Sequence, residues 1–302
     1  MCENRNQQTE KQKIFLVGIG MGTAASLTGQ AKAALERCDY LIGARRMLET
    51  FRKMRKIRQN PDKPGESGTA EEPEYAEAYV TEEIVSLIQE QKKRQRIGVL
   101  FSGDTGFYSG AGKLAQRLAE FPGLYDVEVI PGISSVCYLA ARLQTAWEDA
   151  SIVSLHGREE NFIQTVSRSA RTFLLLGGKD TGSRMLQKLR EYGLDDVTVR
   201  AGSRLSYPDE KIISGRPSEL SDKDVEGLCT ALIENPRPEN RGEPHIRDDA
   251  FIRGKVPMTK EEVRAVSLAR LNLTGDAVVY DVGAGTGSVS VEAARCSDRI
   301  RV

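Results

Sequence analysis

An α/β fold whose first lobe is a parallel, doubly wound sheet is predicted by three observations on this sequence. Short apolar runs recur at Ile14-Phe-Leu-Val17, Ile97–Phe101 and Val127–Ile130, and read as strands. Each runs into a turn of glycine and small polar residues: Gly18-Ile-Gly-Met-Gly22, Ser102-Gly-Asp-Thr-Gly-Phe-Tyr-Ser-Gly110 and Pro131-Gly-Ile-Ser-Ser135. Each turn is followed by residues with helical spacing. Strand–helix alternation of this kind builds a parallel sheet, with all such turns on the carboxyl edge of the strands, where ligands bind. A glycine-bearing turn there lets backbone approach a ligand that side chains would hold off. The first turn lacks the dinucleotide fingerprint, because Thr23 stands where G-x-G-x-x-G needs glycine.

In chain order, residues 1–12 form a polar tail and the first strand leads to a helix over Ser26–Arg37 with Leu27, Ala31, Ala34 and Leu35 in step. Tyr40–Gly43 is a strand and Ala44–Arg55 a helix. Asn60–Glu74, with Pro61, Pro64, Gly65, Gly68 and Pro73, reads as a surface insertion. Thr81 is placed to cap a helix from Glu82 to about Lys93. Helices over Ala111–Glu120 and Ile133–Leu143 follow the second and third glycine turns. Beyond about residue 146 come strands at Ile152–Leu155 and Thr172–Leu176, with helices at Glu159–Ser169 and Thr181–Tyr192, where Gly193 suits the C-terminal cap. Val197–Ala201, Glu210–Ile213 and Leu228–Ile233 are three strands with short connections, which predicts a second, mixed sheet. The lobes then span about 13–145 and 146–235.

Composition narrows the function. The 302 residues balance 43 basic against 43 acidic side chains, so no global field draws the chain to nucleic acid or a membrane surface. No apolar run approaches the ~18 residues of a bilayer span, and the N-terminus lacks a signal-peptide core, so a cytoplasmic location is expected. The five cysteines (2, 38, 137, 229 and 296) form no C-x-x-C pair, and the two histidines lie far apart; reduced thiols and no metal site are expected.

The segments Leu16-Val-Gly-Ile-Gly-Met-Gly22, Leu100-Phe-Ser-Gly-Asp-Thr-Gly-Phe-Tyr108, Val129-Ile-Pro-Gly-Ile-Ser-Ser135 and Val153-Ser-Leu-His-Gly-Arg158 resemble the tetrapyrrole methylases. Within that family they look like the methyltransferases of carbon 5 of a (cobalt-)precorrin in cobalamin biosynthesis. The resemblance runs from about Ile14 to Ile233. Met21 and Thr105 stand where the family usually has proline in its first two loops. The resemblance implies two α/β lobes, S-adenosylmethionine in the cleft between them, a corrinoid substrate, and a homodimer. Carried over by position, Gly18, Gly20, Met21 and Gly22 fall in the first cofactor loop, Asp104 and Phe107 in the second, and Ser134 and Ser135 in the third. Leu176 and Leu205 would line the adenosine.

Each assignment has a plainer counterpart. Asp104 suits a sulfonium cation beside backbone amides, and suits equally a helix cap or turn. Ser134 and Ser135 can cap the helix they open. A lone His156 at a strand end is more often a structural hydrogen-bonder than a catalyst. Arg45, Arg46, Arg158 and Arg204 are the side chains placed to meet corrinoid carboxylates, against the alternative of solvated surface arginines. No catalytic base is assigned. The same fold could methylate an earlier tetrapyrrole, a protein side chain or RNA, or serve as a non-catalytic binding module.

Residues 236–256, with Pro236, Pro238, Gly242 and Pro244, read as a linker. Thr259 is placed to cap a helix from Lys260 to about Leu271, Ala277–Tyr280 is a strand, and Asp281-Val-Gly-Ala-Gly-Thr-Gly287 opens another helix. Asp281, Gly283, Gly285 and Gly287 resemble the first cofactor motif of the Rossmann-like methyltransferases. Phe251-Ile-Arg-Gly-Lys-Val-Pro-Met-Thr-Lys260 resembles the start of the decarboxylating precorrin methyltransferases that act on carbon 15. With one complete strand from 257 to 302, the segment is expected to be an incomplete, inactive methyltransferase, loosely ordered or packed on the first domain or on a partner chain that completes it.

Overall fold

The structure, a computed structural model, describes residues 11–58, 72–157, 160–178, 180–239, 245–252 and 254–302, with the side chains of 56–58 left out. Its residues form two compact units, one running to Trp147 and including Arg204–Lys211, the other made of Glu148–Ser203 and Ile212–Val302.

The first unit runs β1 (Gln12–Gly18), α1 (Gly29–Glu36), β2 (Tyr40–Gly43), α2 (Arg45–Arg58), β3 (Glu74–Glu77), α3 (Thr81–Glu90), β4 (Arg96–Phe101), α4 (Ala111–Ala119), β5 (Tyr125–Ile130) and α5 (Ser135–Arg142). Its sheet order is β3-β2-β4-β1-β5, and every pairing is parallel. The continuous apolar run of β1 is explained by its central place. Ile14 and Leu16 pack with Ile97, Val99 and Leu114 on one face, while Phe15 and Val17 pack with Leu35, Leu41 and Leu48 on the other. Truncating a side chain such as Phe15 to alanine costs about 3–5 kcal/mol in such a core.

Three local expectations change. The helix anticipated over Ser26–Arg37 is a short 3-10 turn at Ala24–Ser26 followed by α1, because the Thr28 hydroxyl accepts the Ala31 N–H at 3.1 Å and restarts the chain. Thr81 is the first helical residue of α3 and Val80 holds the cap position. Of the anticipated insertion, residues 60–71 lie outside the described residues. Glu74 begins β3, an edge strand whose outer residues are charged and whose Tyr75 ring lies 3.9 Å from the Arg52 guanidinium. Such a strand has no hydrophobic alternation by which to read it.

The second unit contains β6 (Ser151–Ser154), α6 (Phe162–Arg168), β7 (Arg171–Leu176), α7 (Thr181–Glu191), β8 (Thr198–Ser203), β9 (Lys211–Gly215) and β10 (Cys229–Glu234). Sheet order is β6-β7-β10-β8-β9; β6 pairs parallel with β7, and β10 antiparallel with β7 and β8. This is the mixed sheet expected. Val166, Leu174, Met185, Leu186, Leu189 and Ile233 form its core.

The chain then continues through α8 (Glu261–Leu271) and α9 (Ser288–Arg295). Lys260, not Thr259, holds the α8 cap position; the Thr259 carbonyl accepts a bond from Arg264 at 2.5 Å. The strand anticipated at Ala277–Tyr280 is a single parallel bridge, Val278 to Arg301, because no further strand lies beside it among the described residues. Arg264 is wholly buried. It donates to Glu292 at 3.0 Å, Asp248 at 2.5 Å and the Ile246 carbonyl at 2.6 Å, and its guanidinium lies 4.8 Å from the Phe251 ring. Part of the anticipated linker is therefore fastened to these helices. On the other side, Gln164 of α6 donates to the Arg295 carbonyl at 3.2 Å, Thr165 to Asp298 at 2.9 Å, and Asn235 to the Val166 carbonyl at 2.9 Å. Among the described residues no helix is long and apolar enough to cross a membrane.

Candidate functional site

In the first unit the loops after β1, β4 and β5 meet backbone to backbone. Gly20 and Gly103 exchange two hydrogen bonds, N–H to carbonyl, at 3.1 and 2.9 Å. A Cβ on Gly18 would lie 2.7 Å from the Gly132 nitrogen, and one on Gly132 would lie 2.1 Å from the Gly103 carbonyl oxygen. Contacts that short exclude any side chain, so glycine at 18 and 132 is what lets three loops converge. Gly20 and Gly22 also adopt left-handed backbone, at φ +64 and +87.

Asp104 joins the second and third loops. Its carboxylate accepts the Gly106 N–H at 2.8 Å and the Gly132 N–H at 2.9 Å. The turn reading of this residue is therefore realised, and each oxygen keeps a lone pair for a further donor. Beside it, buried Thr105 donates to the Ile130 carbonyl at 3.3 Å, which shows how threonine serves where the family usually has proline. Ser134 caps α5 by accepting the Cys137 N–H at 3.1 Å, and Ser135 is the first residue of that helix. Phe107 packs edge-on against Tyr108, their centroids 5.0 Å apart.

Arg204–Lys211, distant in sequence, also belongs to this unit. The Ser206 hydroxyl hydrogen-bonds the Thr23 hydroxyl, and the Tyr207 hydroxyl lies 2.7 Å from where a Cβ on Gly22 would be. Glu210 accepts from the Ser206 N–H and from Arg142, both at 2.7 Å, and also pairs with the Tyr138 hydroxyl. Burial works to raise the Glu210 carboxyl, but these three partners together hold it below the usual range. Arg204 and Ser206 take left-handed backbone at φ 53 and 73 on either side of buried Leu205. Non-glycine residues hold that conformation only where neighbours enforce it, often at ligand sites. Thr23, Tyr138, Ser206, Tyr207 and Glu210 were missed in the sequence, which carries no local signal that a segment past residue 200 returns to the first loop.

The other anticipated residues are distributed differently. Arg45 is ion-paired with Glu49 on its own helix, and Arg46 donates to Ser102 at 3.4 Å at the start of the second glycine turn. Arg204 is paired with Asp209 at 3.0 Å and stacks on Tyr207. In the second unit, Leu176 is fully buried in the core. The exposed His156 ring occupies the space where a Cβ on Gly177 would be, which makes Gly177 its packing partner. Arg158 lies outside the described residues. In the C-terminal segment Asp281 accepts from the Ser290 hydroxyl, and Gly283, Gly285 and Gly287 are left-handed at φ 79, 58 and 71.

Tested against S-adenosylmethionine, the first unit's edge fits. Asp104, with a lone pair left on each carboxylate oxygen, offers an anionic acceptor to an ammonium or sulfonium group beside the converging glycine loops.

The comparisons agree with this architecture. The family model described as Tetrapyrrole (Corrin/Porphyrin) Methylases matches residues 13–221, and one described as Precorrin methyltransferase domain matches residues 249–302. The "Probable cobalt-precorrin-7 C(5)-methyltransferase" of Methanocaldococcus jannaschii is 28% identical over 228 residues, covering 73% of this chain and 97% of that protein. The "Precorrin-6Y C(5,15)-methyltransferase [decarboxylating]" of a Sinorhizobium species is 26% identical over 285 residues; the alignment takes in 92% of this chain but only 64% of that protein's length. Among solved structures, the uroporphyrin-III C-methyl transferase of Thermus thermophilus complexed with S-adenosyl homocysteine superposes with a TM-score of 0.53 at 21% identity, covering 74% of this chain and 92% of that one.

Proposed function

The chain belongs to the tetrapyrrole methylase family, whose members are S-adenosylmethionine-dependent methyltransferases, and we propose that it methylates carbon 5 of a cobalt-precorrin in cobalamin biosynthesis. The observation that carries this reading is the alignment with the carbon 5 relative along 97% of that protein's length.

S-adenosylmethionine, when bound, supplies an electrophilic methyl group on a sulfonium sulfur. The chain's own residues do the positioning, which is where most of the barrier reduction in such a transfer can come from. Gly18, Gly20, Met21 and Gly22 would offer backbone to the amino-acid tail, with Asp104 as anionic partner and Ser134 and Ser135 as hydroxyl donors. Phe107 and Leu205 would border the adenosine, and Leu176 is a further candidate for that role. Arg46 and Arg158, with Arg45 and His156 as further candidates, would meet the substrate's carboxylates. The working form would be a cytoplasmic homodimer. The test is the mass and methylation position of the product formed from labelled cofactor and a cobalt-precorrin free at carbon 5. Methylation elsewhere, or only of a protein or RNA, overturns the reading. Calorimetry with S-adenosylhomocysteine should give a single site, lost in Asp104→Arg.

A second reading concerns residues 249–302. Val278, Tyr280 and Val282 stand largely exposed, Tyr280 at 87% and Val282 at 95%, beside the glycine loop. An apolar strand-forming stretch left in this state favours docking of further sheet. We infer that the segment takes up the remainder of a carbon 15 methyltransferase domain, and that by itself it does not decarboxylate or methylate carbon 15. Decarboxylation by the 302-residue chain without a partner would overturn this.

A further inference from the structure

Outside the glycine-loop edge, the second unit holds a cavity of about 600 Å³ between α6 and α7. That volume is in the range of small-molecule sites. Its floor is apolar and buried, made by Leu155, Phe162 and Met185. Its walls are cationic. Arg184 and Lys188, one turn apart on α7, both line it, and Arg295 of α9 closes one side. Glu160 is the single acid among the lining residues.

Two of these cations, Arg184 and Lys188, contrast with several arginines of this unit. Arg171, Arg200 and Arg237 are each paired with a carboxylate. Arg184 and Lys188 have no ion pair and no side-chain hydrogen bond among the described residues. Arg295 donates through Nη2 to Glu239 at 2.7 Å, while its Nε is buried without a partner. A buried guanidinium N–H with no acceptor is costly unless a ligand supplies one. The floor asks for an apolar body, and the walls ask for more than one carboxylate.

The cavity also joins two sequence segments. Phe162, Arg184 and Lys188 lie in the part matched by the tetrapyrrole methylase model, and Arg295 in the part matched by the precorrin methyltransferase model. We propose that this cavity is a second, non-catalytic site for a carboxylate-bearing tetrapyrrole. Arg184, Lys188 and Arg295 would take its carboxylates, and the Leu155–Phe162–Met185 floor an apolar edge of its macrocycle. The substrate class rests on the function proposed above. The site would hold a corrinoid between two methylation steps, within reach of residues from both segments.

Equilibrium dialysis of the 302-residue chain tests this, with cobyrinic acid, a corrinoid with free carboxylates, against cobinamide, whose carboxylates are amidated. The wild type should bind about two equivalents of cobyrinic acid. R184E/K188E should bind about one, the lost class weakened about tenfold or more, and R184Q/K188Q should fall between. Methyl transfer from labelled cofactor should be unchanged in both variants, and circular dichroism should confirm their fold. An unchanged isotherm in R184E/K188E, or an equal loss for cobinamide, overturns the proposal. A single wild-type equivalent lost together with methyl transfer overturns the non-catalytic assignment. Two equivalents with no methyl transfer by the wild type would instead overturn the catalytic reading and leave the cavity site standing.

Discussion

Two loops in this molecule share a composition and differ in their surroundings. Gly18-Ile-Gly-Met-Gly22 follows a central strand, and its glycines are pressed against Gly132, the Gly103 carbonyl, Ser26 and Tyr207. Gly283-Ala-Gly-Thr-Gly287 has left-handed backbone at all three glycines, as Gly20 and Gly22 have, yet Cβ atoms on Gly283 and Gly287 would meet open space. Glycine spacing thus permits a ligand turn, whereas adjacent strands with their own glycine turns make it part of a site.

The comparison can be broken most severely at Gly132. Gly132→Val should cost more than about 4 kcal/mol, since its Cβ meets backbone that cannot move aside, and should abolish S-adenosylhomocysteine binding. Gly283→Ala should cost only about 1–2 kcal/mol, the strain of a left-handed alanine. Chemical denaturation and calorimetry measure both, and equal losses would erase the distinction.

Next in size is the buried pair of the C-terminal segment. Arg264→Ala strands Glu292 in a dry interior and should cost about 3–5 kcal/mol locally. Hydrogen exchange should show α8 and α9 opening while cofactor affinity stays nearly constant, as it should when everything after Asn235 is removed. A parallel fall in affinity would tie the second loop to the first.

Asp104→Ala removes the acceptor for two amides and should cost about 2–3 kcal/mol, with loss of cofactor binding; Asp104→Asn keeps one bond and should recover part of the stability.

The smallest effect concerns Glu210. Its carboxyl is held below the ordinary value of 4.5, so its stabilising contribution is complete above that value and fades as pH falls through the folded-state value. Acid titration below about pH 4.5 should loosen Arg204–Lys211 before the sheet melts, and Glu210→Gln should remove that step. Tyr138 and Tyr207 resonances would report it.

Much of the first unit was legible because β1 and β4 are buried on both faces and β1, β4 and β5 each end in a glycine turn. The order β3-β2-β4-β1-β5 was not legible, since parallel pairing leaves no local mark, and charged β3 reads as loop. At the site, the three glycine turns were read from local pattern, and Asp104 was carried over by position from the family resemblance. The covering of Gly22 by Tyr207 depends on a contact between residues some 185 positions apart, and no window along the chain contains both.

That distant segment governs how the protein can be divided. The strands β8 and β9 flank residues 204–210, yet the residues between them belong to the first unit. Cutting once, after Trp147, would yield a fragment with its whole parallel sheet but with Thr23, Tyr138 and Arg142 stripped of their partners. The first lobe is therefore a fold that can be written as one stretch of gene, whereas its ligand edge needs two. Recombination between relatives would have to carry both stretches together to keep the loop covered.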